Sequence, residues 1–223
     1  MLQWKDIDTV LLDMDGTLLD LHFDNHFWLE FVPQRFAELQ GISKEAALEA
    51  LKPKFAEQAG HLNWYCLDYW QKELDLDLVE MKKEICHLID MREDVPAFLT
   101  ALKKAGKRII LVTNAHPDSL TLKIEHTELD KYIDELVSTH TFGVSKESKL
   151  LWQQLEEELK FDCHRSLFID DSIPILTTAR EFGIRHLVAV ANPDSKQETR
   201  EITQFDSITS YNAYTNELNQ LYL

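Results

Sequence analysis

The sequence predicts an α/β fold: a doubly wound parallel sheet with a helical subdomain inserted after the first strand. Three observations carry that expectation. Short apolar runs of strand length recur at 10–12, 108–113, 136–138, 166–170 and 186–190, separated by amphipathic helical patterns. Three of these runs lead into carboxylates or small polar residues, as strands do where a sheet edge carries a site. Residues 21–91, between the first run and the next, hold helical patterns alone. The chain of 223 residues has room for one core domain and a smaller insertion. The expected division is 1–20 and 92–223 for the core and 21–91 for the inserted helical cap.

The first run, Val10-Leu11-Leu12, continues into Asp13-Met14-Asp15-Gly16-Thr17. Side chains alternate along a strand, so Asp13 and Asp15 project toward one site, and Gly16 lets the chain turn. Phe27, Phe31, Arg35 and Leu39 fall on one side of a helix that Gly41 stops. Ser43 caps the next helix, whose apolar positions are Ala47, Leu48 and Leu51, until Pro53 interrupts or kinks it. Residues 62–74 are dense in aromatics, including Trp64, Tyr65, Tyr69 and Trp70. Core packing accounts for such a segment by default; the functional reading is that one or two rings stack on a flat substrate group.

Strand and helix then alternate. Asp94 caps a helix with Pro96 in its first turn and Val95, Phe98, Leu99 and Leu102 on its apolar face, before Gly106. A buried strand over 108–113 ends in Thr113-Asn114. A helix over 118–126 and a short strand over 136–138 follow. A loop through Lys146 enters a helix with Leu150, Leu151 and Leu155, and a strand over 166–170 ends in Asp170-Asp171. A helix over 174–182 and a last strand over 186–190 complete the pattern, and the tail after Asn192 reads as loop and terminal segment. An insertion after the first strand sits over the carboxyl ends of the strands. It is placed to act as a lid, with crossings near 20–23 and 91–94.

Composition narrows the partners. Hydrophobic content of 44% and charged content of 28% are those of an ordinary globular protein. A net charge of −16 argues against a nucleic-acid backbone or an anionic membrane surface as the main partner. Cys66, Cys86 and Cys163 form no CxxC pair and no closely spaced Cys/His cluster, which reads as reduced thiols in a cytoplasmic protein. No basic segment followed by an apolar one opens the chain, and no run approaches the roughly 20 apolar residues that span a bilayer.

Four elements therefore end at one sheet edge: Asp13 with Asp15, Thr113 with Asn114, Lys146, and Asp170 with Asp171. Each has a bland reading alone, as turn, cap or solvated surface. The set DMDGT, LVTNA, GVSK and LFIDDS resembles the four motifs of the haloacid dehalogenase superfamily, whose core is Rossmann-like and in which a helical cap lies between the first two motifs. The longer stretches VLLDMDGTLLDL, LNWYCLDYW, LTLKIEHTELD, LVSTHTFGVSKE, LFIDDS and VANPDS resemble the purine 5′-nucleotidases of that superfamily, which act on GMP and IMP.

That resemblance implies a phosphatase of purine 5′-nucleotides working through an aspartyl-phosphate. Asp13 would be the nucleophile and Asp15 the general acid and then base. Thr113, Asn114 and Lys146 would bind the phosphoryl oxygens. Mg²⁺ is the implied cofactor, with Asp13, Asp15 and Asp171 at the metal, the Met14 carbonyl as a further oxygen ligand, and Asp170 either a ligand or the support of one. Trp64 and Tyr65 in the cap would read the base. The implied partner is a small phosphate ester, with oligomeric state open. Two alternatives share these residues: a phosphatase or mutase for another ester such as a sugar phosphate, and an inactive phosphate-sensing or partner-binding protein. A hydrolytic dehalogenase lacks the second acid and needs no Mg²⁺, so Asp15 and Asp170-Asp171 argue against it.

Overall fold

Six parallel strands form one sheet in the order β3-β2-β1-β4-β5-β6 in the computed structural model, which describes residues 2–221. In chain order these are β1 (Thr9–Leu12), β2 (Arg108–Thr113), β3 (Glu135–Ser138), β4 (Ser166–Asp170), β5 (His186–Val190) and β6 (Asp206–Ile208). The chain winds one way from β1 to β3 and the other way from β4 to β6. The reversal falls between β1 and β4, where a crevice opens at the carboxyl ends of the strands.

The insertion that follows β1 carries the α-helices α1 (His22–His26), α2 (Val32–Gln40), α3 (Lys44–Gln58), α4 (Leu62–Tyr65), α5 (Leu67–Leu74) and α6 (Leu78–Glu84). A π-helical stretch, Phe27–Phe31, joins the first two. The core helices are α7 (Val95–Lys104), α8 (Pro117–Thr127), α9 (Lys149–Leu159), α10 (Ile173–Phe182) and α11 (Asn212–Leu221).

Strand alternation divides the core into two layers. Val10, Leu12, Ile109, Leu111, Leu167, Ile169, Val188 and Val190 face the side covered by α7 and the insertion. Leu11, Ile110, Val112, Phe168 and Ala189 face α9 and α10 through Trp152, Leu155 and Leu176. Both faces are buried, which is why these strands read as continuous apolar runs.

The two crossings into the insertion lie side by side. Leu19 bridges Met91, the Asp20 amide donates to the Asp90 carbonyl at 2.9 Å, and the Arg92 amide donates to the Leu18 carbonyl at 3.1 Å. The segment Asn192-Pro193-Asp194-Ser195 forms their socket. Leu21 N–H donates to Pro193 O, Asn25 Nδ2 to Asp194 Oδ2, and Arg92 to both oxygens of Asn192.

Several local expectations change. The tail is not loop alone: β6 pairs with β5, so His186–Val190 is not the last strand, and α11 packs on α7 with Tyr211 stacked on Phe98 at 4.5 Å. Asp94 holds the N-cap position of α7, but its side chain makes no capping bond there; the carboxylate accepts from Ser210 Oγ and Tyr211 N and so anchors the start of α11. Pro53 does not break α3, which runs through it to Gln58. Burial of Leu51 and packing of Phe55 on its neighbours hold the helix against a proline cost of about 3 kcal/mol. Leu39, Leu48 and Leu150 are exposed. Among the described residues no helix is long and apolar enough to cross a membrane.

Candidate active site

A cavity of about 310 Å³ opens at the switch point between β1 and β4, with the helical insertion on its other side. Its core wall carries Asp13, Asp15, Thr113, Asn114, Lys146, Asp170 and Asp171, and its insertion wall includes Trp28, Trp64 and Tyr65. Every site residue read from the sequence lines this one space.

Lys146 organises the floor. Its Nζ lies 2.5 Å from Asp13 Oδ1 and 2.7 Å from Asp170 Oδ2, with all three side chains buried. The backbone aims it: Lys146 N–H donates to Asn114 Oδ1 at 2.9 Å, and Trp152 Nε1 donates to the Lys146 carbonyl at 3.0 Å. Burial alone would lower the lysine pKa, but the charges of Asp13 and Asp170 outweigh it, so the ammonium is held above its ordinary range.

Asp13, Asp170 and Asp171 bring one carboxylate oxygen each within 4.8 Å of the others. Lys146 contacts two of them, whereas among the described residues the Asp171 carboxylate has only Arg200 Nη2 at 3.8 Å. Burial, then the neighbouring charges of Asp170 and Asp13, pushes the Asp171 carboxyl well above the carboxylate range. Burial pushes Asp13 up to about 6 against the pull of Lys146. This surplus of buried negative charge, built from oxygen donors, fits a hard divalent cation. Gly16 completes the wall with φ of +81°, and a Cβ there would lie 2.9 Å from Asp171 Cγ. Only glycine fits both the backbone and the space.

Two residues expected at the metal make other contacts here. The Met14 carbonyl accepts from Leu18 N at 2.9 Å and Leu19 N at 2.8 Å, so it closes the turn after β1. Asp15 stands outside the carboxylate cluster. Its Oδ1 lies 2.6 Å from Lys123 Nζ, because Lys123 draws it toward the insertion. Burial pushes the Asp15 carboxyl up to about 6, with Lys123 opposing and Asp24 and Asp13 adding to the rise.

Thr113 and Asn114 lie where β2 ends. Thr113 Oγ1 accepts from Ala115 N at 3.0 Å, which orients the hydroxyl. Asn114 is clamped: its Oδ1 accepts from Thr139 Oγ1 and Lys146 N, and its Nδ2 donates to Glu147 Oε2 at 3.1 Å. Tyr65 donates its hydroxyl to Glu147 Oε1 at 2.7 Å, so it ties α4 of the insertion to the loop that carries Lys146. Trp64 is half-buried, stacked on Trp28 at 6.0 Å and edge-on to Phe55 and Trp70, yet it still lines the cavity. Packing and exposure to the cavity coexist in this ring.

The sequence reading missed Trp28 and four charged residues of the site: Asp24, Lys82, Lys123 and Glu147. Lys123 bridges Asp15 and Asp24, each at 2.6 Å, and Lys82 Nζ reaches Asp24 Oδ1 at 2.8 Å. A signal for them exists in the helical spacing. Lys123 follows Leu120 at i+3 on the inward side of α8, and Asp24 lies between Phe23 and Phe27 on the inward side of the first helix. A charge on a buried stripe needs a buried partner.

The comparisons with known proteins agree with this geometry. A family model described as haloacid dehalogenase-like hydrolase matches residues 7–183. The chain is 47% identical over 208 residues to the GMP/IMP nucleotidase YrfG of Escherichia coli (strain K12), covering 93% of this chain and 94% of that one. It is 26% identical over 190 residues to an (S)-2-haloacid dehalogenase of Pseudomonas sp. (strain YL), covering 79% and 80%. Among solved structures, a HAD phosphatase from Thermococcus onnurineus shares the fold, with a TM-score of 0.75 at 22% identity over 96% of this chain and 97% of that one. A sheet reversal that opens onto these carboxylates, and a family model that spans the strands carrying them, make this chain a member of the haloacid dehalogenase-like hydrolases.

Proposed function

We propose that the protein is a Mg²⁺-dependent phosphatase that hydrolyses purine 5′-nucleotides, GMP and IMP, to nucleoside and phosphate. The observation that carries this reading is the 47% identity to a GMP/IMP nucleotidase across 93% of the chain, which takes in the insertion as well as the core. The relation to a haloacid dehalogenase is weaker, and Asp15 and Asp171 give this site an acid and a cation ligand that the dehalogenase reading leaves idle.

In this mechanism an Asp13 carboxylate oxygen attacks phosphorus, and the bond from phosphorus to the 5′-oxygen breaks. Asp15 gives its proton to that leaving oxygen. Its carboxyl, pushed up to about 6 by burial, retains a proton more readily than an exposed aspartate. Water then attacks the aspartyl-phosphate while Asp15 takes back a proton, which releases phosphate and restores Asp13. The Thr113 hydroxyl, whose oxygen already accepts from Ala115, donates to a phosphoryl oxygen, as does the Asn114 N–H. Lys146 neutralises charge on Asp13 and on the phosphoryl group as it develops. Asp13, Asp170 and Asp171 would hold Mg²⁺, which when bound supplies positive charge to the phosphoryl oxygens. The insertion acts as the cap, with Trp64 and Trp28 offering aromatic faces to the base.

The test is phosphate release from a panel of 5′-nucleotides, sugar phosphates and an aryl phosphate, with Mg²⁺ and with a chelator. Turnover that requires Mg²⁺ and concentrates on GMP and IMP is expected. Turnover concentrated on other esters would keep the chemistry and discard the purine substrate. No turnover of any ester would discard the phosphatase.

A further inference from the structure

Beside the phosphate end of the cavity lies a second cluster of ligating side chains, of a different chemical kind. Cys66, His116 and His140 bring a sulfur and two ring nitrogens within 4.8 Å of one another. Cys66 lies between α4 and α5 of the insertion, His116 caps α8 just after β2, and His140 follows β3. Their separations along the chain hide the cluster from any motif search. The fold alone assembles it.

We infer that this cluster is a binding site for a thiophilic transition-metal ion of the Zn²⁺ class, and that the ion joins the insertion to the core. The donor set selects the metal. One thiolate and two imidazoles suit Zn²⁺, whereas Mg²⁺ takes oxygen ligands and is served by the carboxylates of the active site. A tetrahedral Zn²⁺ holds sulfur and nitrogen donors about 3.3–3.6 Å apart, given bonds of about 2.3 and 2.0–2.1 Å. With the donors within 4.8 Å of one another, that spacing asks for a closure of at most about 1.5 Å.

Two further observations point at a ligand. Among the described residues His140 Nε2 is buried with no hydrogen-bond partner, a state that a ligand there would relieve. Asp68 Oδ2 lies 3.4 Å from His116 Nε2, which brings an oxygen to the same edge as a fourth donor. In the structure His116 Nδ1 accepts from Asp118 N at 3.3 Å as the cap of α8; a metal on Nε2 shifts the ring proton to Nδ1, which gives up that bond and turns to the Asp118 carboxylate at 3.6 Å. Asp68 is exposed, so the site has an entry from solvent. On binding, the S–H bond of Cys66 breaks, sulfur bonds to the metal, and the proton leaves to water.

Binding of this kind does not depend on the phosphatase reading; its consequence for turnover does. A metal bound by Cys66 on one side and two core histidines on the other fixes the insertion in place, which under that reading slows cap opening.

The experiment is titration of the full chain with Co²⁺ in excess Mg²⁺, which occupies the carboxylate cluster. Absorbance reports the thiolate-to-cobalt charge-transfer band and the d–d bands of a tetrahedral ion. The expected result is a saturable signal at one equivalent, displaced by Zn²⁺ and retained in Cys86→Ser and Cys163→Ser. In Cys66→Ser the charge-transfer band should vanish, and in His140→Asn affinity should fall by more than about tenfold. Absence of the band in the unmodified protein, or its persistence in Cys66→Ser, overturns the proposal. So does unchanged affinity in His140→Asn.

Discussion

Lys123 Nζ lies 2.6 Å from Asp15 Oδ1 and 2.6 Å from Asp24 Oδ2, so one buried ammonium joins the end of β1 to the first helix of the insertion. Lys82 extends the line, and the four groups carry two charges of each sign. Burial alone would raise the Asp24 carboxyl, but Lys123 and Lys82 outweigh it and hold it far below the carboxylate range. Asp24→Asn should therefore strand two buried lysines against one carboxylate and cost about 3–5 kcal/mol. Adding Lys82→Met should recover part of that loss, because it restores a balanced pair. Denaturant unfolding of the single and double variants checks this; additive losses would show that Asp24 and Lys82 are not coupled.

The two carboxylates that follow β1 give the metal-free protein an inverted pH dependence. Asp13 and Asp15 ionise near 3.9 in an unfolded chain and at about 6 in the folded one, because burial disfavours their charge. A carboxyl raised on folding contributes stability that is complete below its unfolded pKa and is lost as pH rises through its folded one. Stability without metal should thus fall between about pH 4 and just above pH 6, by on the order of 3 kcal/mol for each group. Asp24, shifted downward, contributes stability that is lost only as pH falls below this window. Mg²⁺ should restore the loss at neutral pH. Asp171→Asn removes one repelling charge, so it should raise the metal-free Tm and abolish the Mg²⁺-induced increase. Melting curves with and without Mg²⁺ on both sides of pH 6 decide; an unchanged Mg²⁺ response in the variant would remove Asp171 from the metal site.

What the sequence disclosed follows from the range over which each feature is encoded. Strands buried on both faces read as apolar runs, and glycines and carboxylates at their ends mark the sheet edge, so β1, β2 and β4 and their polar termini were legible locally. β6 was not, because its three residues, Asp206, Ser207 and Ile208, are held by pairing with β5 and show no apolar pattern. α11 was missed for a related reason: it fully buries only Leu218, with Tyr211 just ahead of it, while Tyr214 is half-buried, Leu221 is exposed and most of its other residues are polar. The core motifs fall on strand ends and could be aligned by topology alone. Asp24, Lys82, Lys123 and Glu147 are defined by partners up to 108 residues away, and only the fold pairs them.

Trp64 tests whether the insertion reads the base. The ring faces the cavity and also packs on Trp28, Phe55 and Trp70, so Trp64→Ala should cost stability on the order of 1–3 kcal/mol, less than for a fully buried tryptophan. Base–aromatic stacking is worth about 1–3 kcal/mol, so KM for GMP and IMP should rise roughly fivefold to a hundredfold. An aryl phosphate that does not reach the ring should show a smaller change. Steady-state kinetics on both substrates separate the effects; equal rises would leave Trp64 as packing alone.

Asp13→Asn is the most direct probe of the covalent step. The exchange is nearly isosteric, and Lys146 keeps its 2.7 Å contact to Asp170, so the variant should fold with stability close to that of the parent. It removes a buried negative charge as well as the attacking oxygen, so loss of stability is not available as an explanation for loss of rate. Turnover should fall below detection, and no phosphorylated enzyme should be trapped by acid quenching during turnover of GMP. Asp15→Asn differs in kind, because it keeps the nucleophile and removes the proton donor and base. It should still take up phosphate from an ester whose leaving group needs no proton, such as a nitrophenyl phosphate, and then stall with Asp13 phosphorylated. Mass measurement of the quenched variants distinguishes the two. A phosphorylated Asp13→Asn enzyme would move the nucleophile elsewhere, and an Asp15→Asn enzyme that turns over at the parent rate would leave Asp15 without a role in proton transfer.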